Sequence, residues 1–328
     1  MSLIQSYLVN RKQCVKIDHH SSSYANVTSG VPQGSILGPL LFLIFINDLP
    51  QTLTDTISYG YADDFKAILM DQVSLNTATS KIESWLDLNK MQPNIKKSTI
   101  LSIKGNLRAN MMSKTLSTVD TQKDLGLMVS SNLNWNENCS RRASKAIKAF
   151  YQIKRSLTNK CTIQTKLNDY TGYVVQVATN ASQAWYPSRN NMDQLERVQK
   201  LATKWILCTN SHYKDRLAKL KLLPLSLYIE MHDILMLLAL IENKYDVNLN
   251  KATYGTCETT RQSNRGEFKL TKTRLQKTDE NFFRRTKTLY NCLIRTCSEF
   301  KENPNKSSVT NVYFKYFDNA YNELNKCT

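Results

Sequence analysis

No stretch of this chain approaches the about 20 consecutive apolar residues that a membrane-spanning helix requires. The most apolar run, Ile36 to Ile46, is broken by Gly38 and Pro39, so no transmembrane segment and no membrane partner is expected. Paired cysteines are missing as well. Cys14, Cys139, Cys161, Cys208, Cys257, Cys292, Cys297 and Cys327 include no Cys-x-x-Cys, and Cys292 and Cys297 have no histidine nearby. That spacing argues against a zinc site. With no secretory leader legible, it suits free thiols in a reducing compartment, hence an intracellular protein of the nucleus or cytoplasm. No internal repeat is visible.

Acid is scarce relative to base. Asp and Glu number 27 against 44 Lys and Arg, a formal charge of +17 with pI ≈ 9.4. Such a balance points to a polyanionic partner, most simply nucleic acid, although a basic solvated surface would satisfy composition equally well. Distribution favours the partner. Between Arg141 and Lys221 there are sixteen Lys/Arg and four Asp/Glu. The 328 residues, 41% hydrophobic, are enough for two or three domains with their own cores.

Residues 1 to 28 read as extended, with Val15 and Ile17 alternating with polar neighbours. A Gly30–Gly34 turn follows, and Ser35 is placed to cap a helix carrying Leu40, Leu41, Phe42, Ile44, Phe45 and Leu49, closed by Pro50. Ile57 to Met70 reads as two short strands around Ala62-Asp63-Asp64. A helix from Val73 to Leu88 buries Leu75, Ile82, Trp85 and Leu86, and a strand holds Ile100, Leu101 and Ile103. Beyond residue 140 the period becomes helical. Ala143, Ile147, Phe150 and Leu157 form one apolar stripe, and Leu195, Val198, Ala202 and Trp205 a second. Arg142, Lys145, Lys148 and Arg155 fall mostly off the first, and Arg197, Lys200 and Lys204 off the second. Leu225 to Ile241 is apolar nearly all round and should be buried, while 246–328 is polar and weakly periodic.

The sharpest local feature is Tyr61-Ala62-Asp63-Asp64, two carboxylates at the tip of a predicted hairpin. Alone, an Asp pair at a turn is most often only a turn. As chemistry, it offers the oxygen donors that Mg²⁺ prefers. Upstream stands Ser29-Gly30-Val31-Pro32-Gln33-Gly34-Ser35-Ile36-Leu37-Gly38-Pro39-Leu40, then Asn47-Asp48-Leu49-Pro50. Read plainly this is a turn before a core helix. Read functionally, its glycines let a base or nucleotide approach the backbone.

These two strings, in this order and at this separation, resemble the reverse transcriptases of non-LTR retrotransposons, especially the jockey-like group. Ser6-Tyr7-Leu8, Asn10-Arg11, Gln13 and Val15 resemble that family's segment before the Pro-Gln-Gly loop. Trp85, Asn89, Asn94, Lys97 and Ser98 resemble its next motif, and Lys123-Asp124-Leu125-Gly126 with Asn132-Leu133 and Trp135 its primer grip. The resemblance covers roughly residues 3 to 240.

It implies an α+β fold: a partial polymerase palm, an antiparallel sheet with helices, over 1–105. A primer-grip-like palm–thumb junction over 106–140, a basic helical thumb over 141–245 and an irregular region of unknown role over 246–328 would follow. It implies RNA-directed DNA polymerisation with two Mg²⁺ ions, dNTPs, an RNA template and an RNA–DNA or DNA duplex as partners. Asp63 and Asp64 would be catalytic metal ligands, and Lys97 would lie near the triphosphate. Gly30, Pro32, Gln33 and Gly34 would shape the nucleotide and template site. Arg142, Lys145, Lys148, Arg155, Arg197, Lys200 and Lys204 would hold nucleic acid.

One family feature has no counterpart. The first catalytic aspartate lies upstream of the Ser-Tyr-Leu segment, so this chain is expected to be incomplete as a catalyst. Asp18-His19-His20 matches the family's variable hairpin and not a metal ligand set. A non-catalytic nucleic-acid-binding remnant, or a domesticated element protein, is the rival reading. Three structural expectations follow. Asp63 and Asp64 should sit at an exposed tip facing Gly30–Gly34. The Leu37–Asp48 helix should pack beneath that hairpin. The Tyr61 strand should lack a neighbour.

Overall fold

Alternating apolar and polar residues flank Ala62-Asp63, and that alternation folds as a hairpin. Strands β5 (Ile57–Tyr61) and β6 (Asp64–Ile68) pair antiparallel with Tyr61 opposite Asp64. The computed structural model describes residues 2–54, 56–103, 105–157, 160–186, 189–242, 244, 268 and 282–315. Helices and small sheets, five antiparallel and one parallel, make the fold α+β, and every sheet among the described residues is two-stranded. The chain divides into two compact units, Met1–Asp120 and Thr121–Thr328, so the boundary falls inside the stretch read as a junction.

In the first unit, residues 1 to 28 depart from the expected extended structure. They open with helix α1 (Ser2–Leu8), whose seven residues hold their own backbone bonds before Asn10 turns the chain at φ +59°. Two nested hairpins follow. Strand β1 (Lys12–Gln13) pairs with β4 (Ala25–Asn26), and β2 (Lys16–Ile17) with β3 (His20–Ser21). Asp18 and His19 form the inner turn, with Asp18 at φ +52°, as the hairpin reading of that segment requires.

Helix α2 (Leu37–Ile46) starts one residue after its N-cap Ile36, and Ser35 still does the capping chemistry. Its Oγ accepts the Gly38 amide at 3.0 Å and donates to the Pro32 carbonyl at 2.7 Å. The helix ends four residues before Pro50, which instead opens a 3-10 turn, Pro50–Leu53. Contrary to its hydropathy, α2 is poorly covered: Gly38 is its buried residue, while Leu40, Leu43 and Ile44 are exposed. Phe45, Ile46 and Leu49 make its contact, against Trp85 and in the cluster that includes Phe65 of the hairpin.

Helix α3 (Gln72–Leu88) is begun by a capping box in which Asp71 accepts the Ser74 amide at 2.7 Å. It buries Leu75, Ala78, Trp85 and Leu86. Leu75 meets Ala109, Met111 and Leu116 from the β8 (Asn110–Met111) and β9 (Lys114–Thr115) hairpin region. Strand β7 (Thr99–Leu101) pairs parallel with β10 (Ser117–Val119). Trp85 donates its indole N–H to Asp48 at 3.0 Å, which explains the acid in Asn47-Asp48-Leu49-Pro50. Asp48→Ala leaves that buried donor unpaired and should cost about 1–3 kcal/mol, read as a lower urea midpoint.

In the second unit, strands β11 (Thr121–Asp124) and β12 (Leu127–Ser130) are joined by Leu125 and Gly126, both at positive φ, the turn that suits strand twist. Helix α4 (Asn136–Ser156) follows, then α5 (Ile163–Asp169), a π-helical turn Tyr170–Val175, and α6 (Gln176–Thr179). Helices α7 (Arg189–Leu207), α8 (Tyr213–Leu220) and α9 (Leu225–Ile241) complete this set. The core gathers Phe150, Tyr170, Val174, Trp185, Leu195, Val198 and Ile206. As expected, α9 is buried, with Ile229, Ile234 and Leu237 fully inside. No single helix among the described residues is long and apolar enough to cross a membrane.

The described part of 246–328 is more ordered than its weak periodicity suggests. Helix Phe282–Thr296 packs on α9, sharing a cluster of Met231, Ile234, Leu237, Tyr290 and Ile294. Asp233, fully buried, accepts Arg285 Nε at 2.7 Å, and the same guanidinium reaches the Ser182 and Gln183 carbonyls. Burial raises the Asp233 carboxyl, while Arg285 pulls it down. Arg285→Ala would strand that charge and should cost about 3–5 kcal/mol. The sign with pH follows from the raised carboxyl, since protonation discharges the stranded acid. The loss should therefore be smaller near about pH 5 than near about pH 8, read from paired urea titrations.

Candidate functional site

The β5–β6 hairpin turns through two residues, Ala62 and Asp63, and Ala62 sits at φ +51°. A two-residue hairpin turn requires that region, which a non-glycine residue adopts at some cost. Asp63 and Asp64 are both exposed, and among the described residues no hydrogen bond or ion pair occupies either carboxylate. Tyr59, Tyr61, Lys66 and Asp64 share one face by register, and the two tyrosines are exposed. Phe65 turns the other way into the Trp85 cluster, which anchors the hairpin. Each edge of this sheet is open among the described residues, that of the Tyr61 strand included.

The Gly30–Gly38 loop is built by glycine at three places for two reasons. Gly30 and Gly34 stand at φ +78° and +79°, which L side chains rarely adopt, and open space lies beyond both. A Cβ at Gly38 would instead come within 2.8 Å of Ser35 Oγ and 3.1 Å of the Pro32 carbonyl. Arg11 donates to the Gly30 carbonyl and, through Nε, to Leu8 at 3.0 Å, holding the loop against the N-terminal segment. Gln33 and Gly34 are exposed and Pro32 half-buried. Loop and hairpin tip belong to the same unit, and among the described residues no hydrogen bond joins them. Lys97 is exposed in a turn organised by Asn94, whose carbonyl accepts the Lys97 amide at 2.9 Å and the Ser98 amide at 3.0 Å.

For a divalent cation such as Mg²⁺ the tip offers the hard oxygen donors that the ion prefers. The set is small. Among the described residues, no group of three or more His, Cys, Asp or Glu gathers in one place. Asp18, His19 and His20 therefore form no ligand cluster.

The basic residues of the second unit divide by burial. Lys145, Lys148, Arg155, Arg197, Lys200 and Lys204 are exposed. Arg142 is not: at 7% exposure it donates to the Gly126 carbonyl and to Asn180 Oδ1, both at 3.2 Å. It ties α4 to the β11–β12 turn and is no phosphate ligand. Its spacing already placed it there, since residues 139, 142, 146 and 149 fall on one side of a helix. Lys166 and Arg216 are likewise buried, the former over the Trp205 ring and the latter bonded to Thr203. Arg141, its neighbour in sequence, is exposed and paired with Glu137 at 2.9 Å.

Helices α4 and α7 run parallel, held by Asn136–Asn191, Ser140–Gln194 and Phe150–Trp205 contacts. The exposed side of α4 carries Arg141, Lys145 and Lys148 with Glu137, Ser140 and Ser144 around a groove of about 330 Å³. The exposed side of α7 carries Arg197, Lys200 and Lys204. Among the described residues, Lys145 and Lys148 have no carboxylate in pairing range.

Residues 1–174 match the family described as reverse transcriptase (RNA-dependent DNA polymerase), just over half of the chain. The chain belongs to the reverse transcriptase family. The matched segment contains the hairpin, the Gly30–Gly38 loop and the basic face of α4. The chain is similar to polymerases of Drosophila mobile elements, jockey among them. The RNA-directed DNA polymerase from mobile element jockey of Drosophila melanogaster is 36% identical over 92 residues, 26% of this chain and 10% of that protein. The probable polymerase from transposon X-element of the same species is 43% identical over 68 residues, 19% of this chain and 7% of its own length. That from transposon BS is 25% identical over 230 residues, 62% of this chain and 25% of the relative. This chain thus spans a quarter or less of these relatives. No solved structure gives a significant match.

Proposed function

We propose that this chain is the metal-carrying and duplex-holding part of an RNA-directed DNA polymerase, with a partial palm over 1–105, a palm–thumb junction over 106–140 and a basic helical thumb over 141–245. The observation that carries this reading is the pair of exposed, unpartnered carboxylates at a two-residue hairpin tip, in a chain of the reverse transcriptase family. Mg²⁺ held there would acidify a primer 3′-hydroxyl and neutralise charge on the triphosphate. Asp63 is the main ligand and Asp64 its partner. Gly30, Pro32, Gln33 and Gly34 offer a backbone wall without side-chain bulk, against which a base and template strand can lie. The exposed turn of Lys97 leaves its ammonium free to reach a triphosphate.

On the helical unit, Lys145, Lys148, Arg155, Arg197, Lys200 and Lys204 hold RNA–DNA or DNA duplex through phosphates, which carries no sequence preference. RNA template and dNTPs are then substrates, and the site of action is the nucleus or cytoplasm. The reading is tested by primer extension on RNA with and without Asp63→Ala in a catalytically complete protein. The small donor set supports a second reading for this chain on its own. Alone, it is a nucleic-acid-binding piece without turnover.

A further inference from the structure

Helix α4 carries more than charge on its outer side. Arg141, Lys148 and Arg155 recur every seventh residue, a step of about 10 Å on one side of a helix. Tyr151 lies between the last two and is 44% exposed, with Lys154 Nζ 5.9 Å from its ring centre. The adjoining π-helical turn is the second feature. It buries Tyr170, Val174 and Val175 and leaves Tyr173 outside at 49% exposure, its hydroxyl 3.5 Å from Gln152 on α4. Beside Tyr173, Gly172 has open space where a Cβ would stand. π-Helical turns are rare and frequent at functional sites.

A lone exposed tyrosine on a basic helix is ordinary surface. Two of them beside the same Lys148–Arg155 segment, one presented by a π-turn, make a different surface. Duplex nucleic acid hides its base faces within the stack, so its phosphates use only the cations. Unpaired bases expose a π-face, and aromatic rings interleaved with cations are what such bases bind. The charge complementarity of Lys148, Lys154 and Arg155 selects a polyanion, and the rings select unpaired bases within it.

We propose that Tyr151 and Tyr173, with Lys148 and Arg155, form a site for unpaired nucleobases, so that the helical unit binds a duplex best where a single strand continues from it. This rests on the phosphate-binding reading above and adds its substrate form. The bases stack on the two rings, Gln152 offers hydrogen bonds to their edges, and Gly172 leaves room for approach.

The test uses the full chain and fluorescence anisotropy. A blunt RNA–DNA duplex is compared with the same duplex bearing a short single-stranded extension, of RNA in one arm and DNA in the other. The extension should tighten binding about tenfold. The Tyr151→Leu/Tyr173→Leu double variant should lose that gain and bind the blunt duplex as before, while Tyr151→Phe/Tyr173→Phe should keep it. Both tyrosines are exposed, so the variants should fold, with circular dichroism as the check. Equal binding of blunt and extended duplex by the unaltered protein overturns the site and leaves the phosphate reading standing. So does a gain that survives the leucine variant. Failure to bind either duplex overturns both readings. A gain in one arm alone supports the site and assigns the strand it takes.

Discussion

Purified residues 1–328 are expected to extend no primer on an RNA template, whatever the Mg²⁺ concentration. In-line phosphoryl transfer between two metal ions needs carboxylates on more than one strand. Among the described residues Asp63 and Asp64 stand without a third metal-binding side chain nearby. Fusing the remainder of the jockey polymerase to this chain should confer extension, since the match covers only 10% of that relative. In the fusion, Asp63→Ala should lower the rate by about a thousandfold, the size of a lost transition-state charge contact. Incorporation by the unfused chain, abolished by Asp63→Ala, would mean that the donor set is complete after all.

The second large effect is on binding. With about five phosphates engaged, the logarithm of affinity should fall against the logarithm of salt with a slope of roughly −4 to −5. Lys148→Glu combined with Arg197→Glu places acid where each exposed helix side now carries base. The double variant should bind duplex about a hundredfold more weakly at low salt and flatten the slope by about two. Arg142→Gln is the control. It should lower the melting temperature and leave the slope alone, because that guanidinium is buried against Gly126 and Asn180. A flat salt response in the unaltered protein would remove the phosphate contacts from the account.

What could be read from the amino acids was whatever depends on neighbours in the chain. The β5–β6 hairpin followed from alternation around a two-residue turn, α3 from its apolar period, and α9 from being apolar on every side. The Asp18-His19-His20 hairpin followed from the resemblance to the family's variable hairpin and not from the pattern of residues 1 to 28, which read as extended. Features set by distant partners were not legible. Asp233 and Arg285 are 52 residues apart, and although Phe282, Leu289, Tyr290, Leu293 and Ile294 recur at helical spacing around Arg285, nothing in that local pattern points to Asp233. Trp85 and Asp48 meet across 37 residues. The π-turn at Tyr170–Val175 is visible only once its neighbours are packed. Arg142 was partly legible, for its helical phase put it with the core, but its charge drew the reading outward. Helix α2 failed in the opposite sense: hydropathy promised burial, and among the described residues little packs on Leu40, Leu43 and Ile44.

The central claim is that the Asp63–Asp64 tip and the Gly30–Gly34 loop line one cleft around a bound metal. Iron-directed cleavage of the fused protein, with Fe²⁺ in place of Mg²⁺ and primer, template and dNTP present, measures it directly. Backbone cuts should appear at residues 62–65 and within 30–34, and both should vanish in Asp63→Ala. Cuts at the tip without cuts in the loop, or cuts in either place that persist without Asp63, would contradict it.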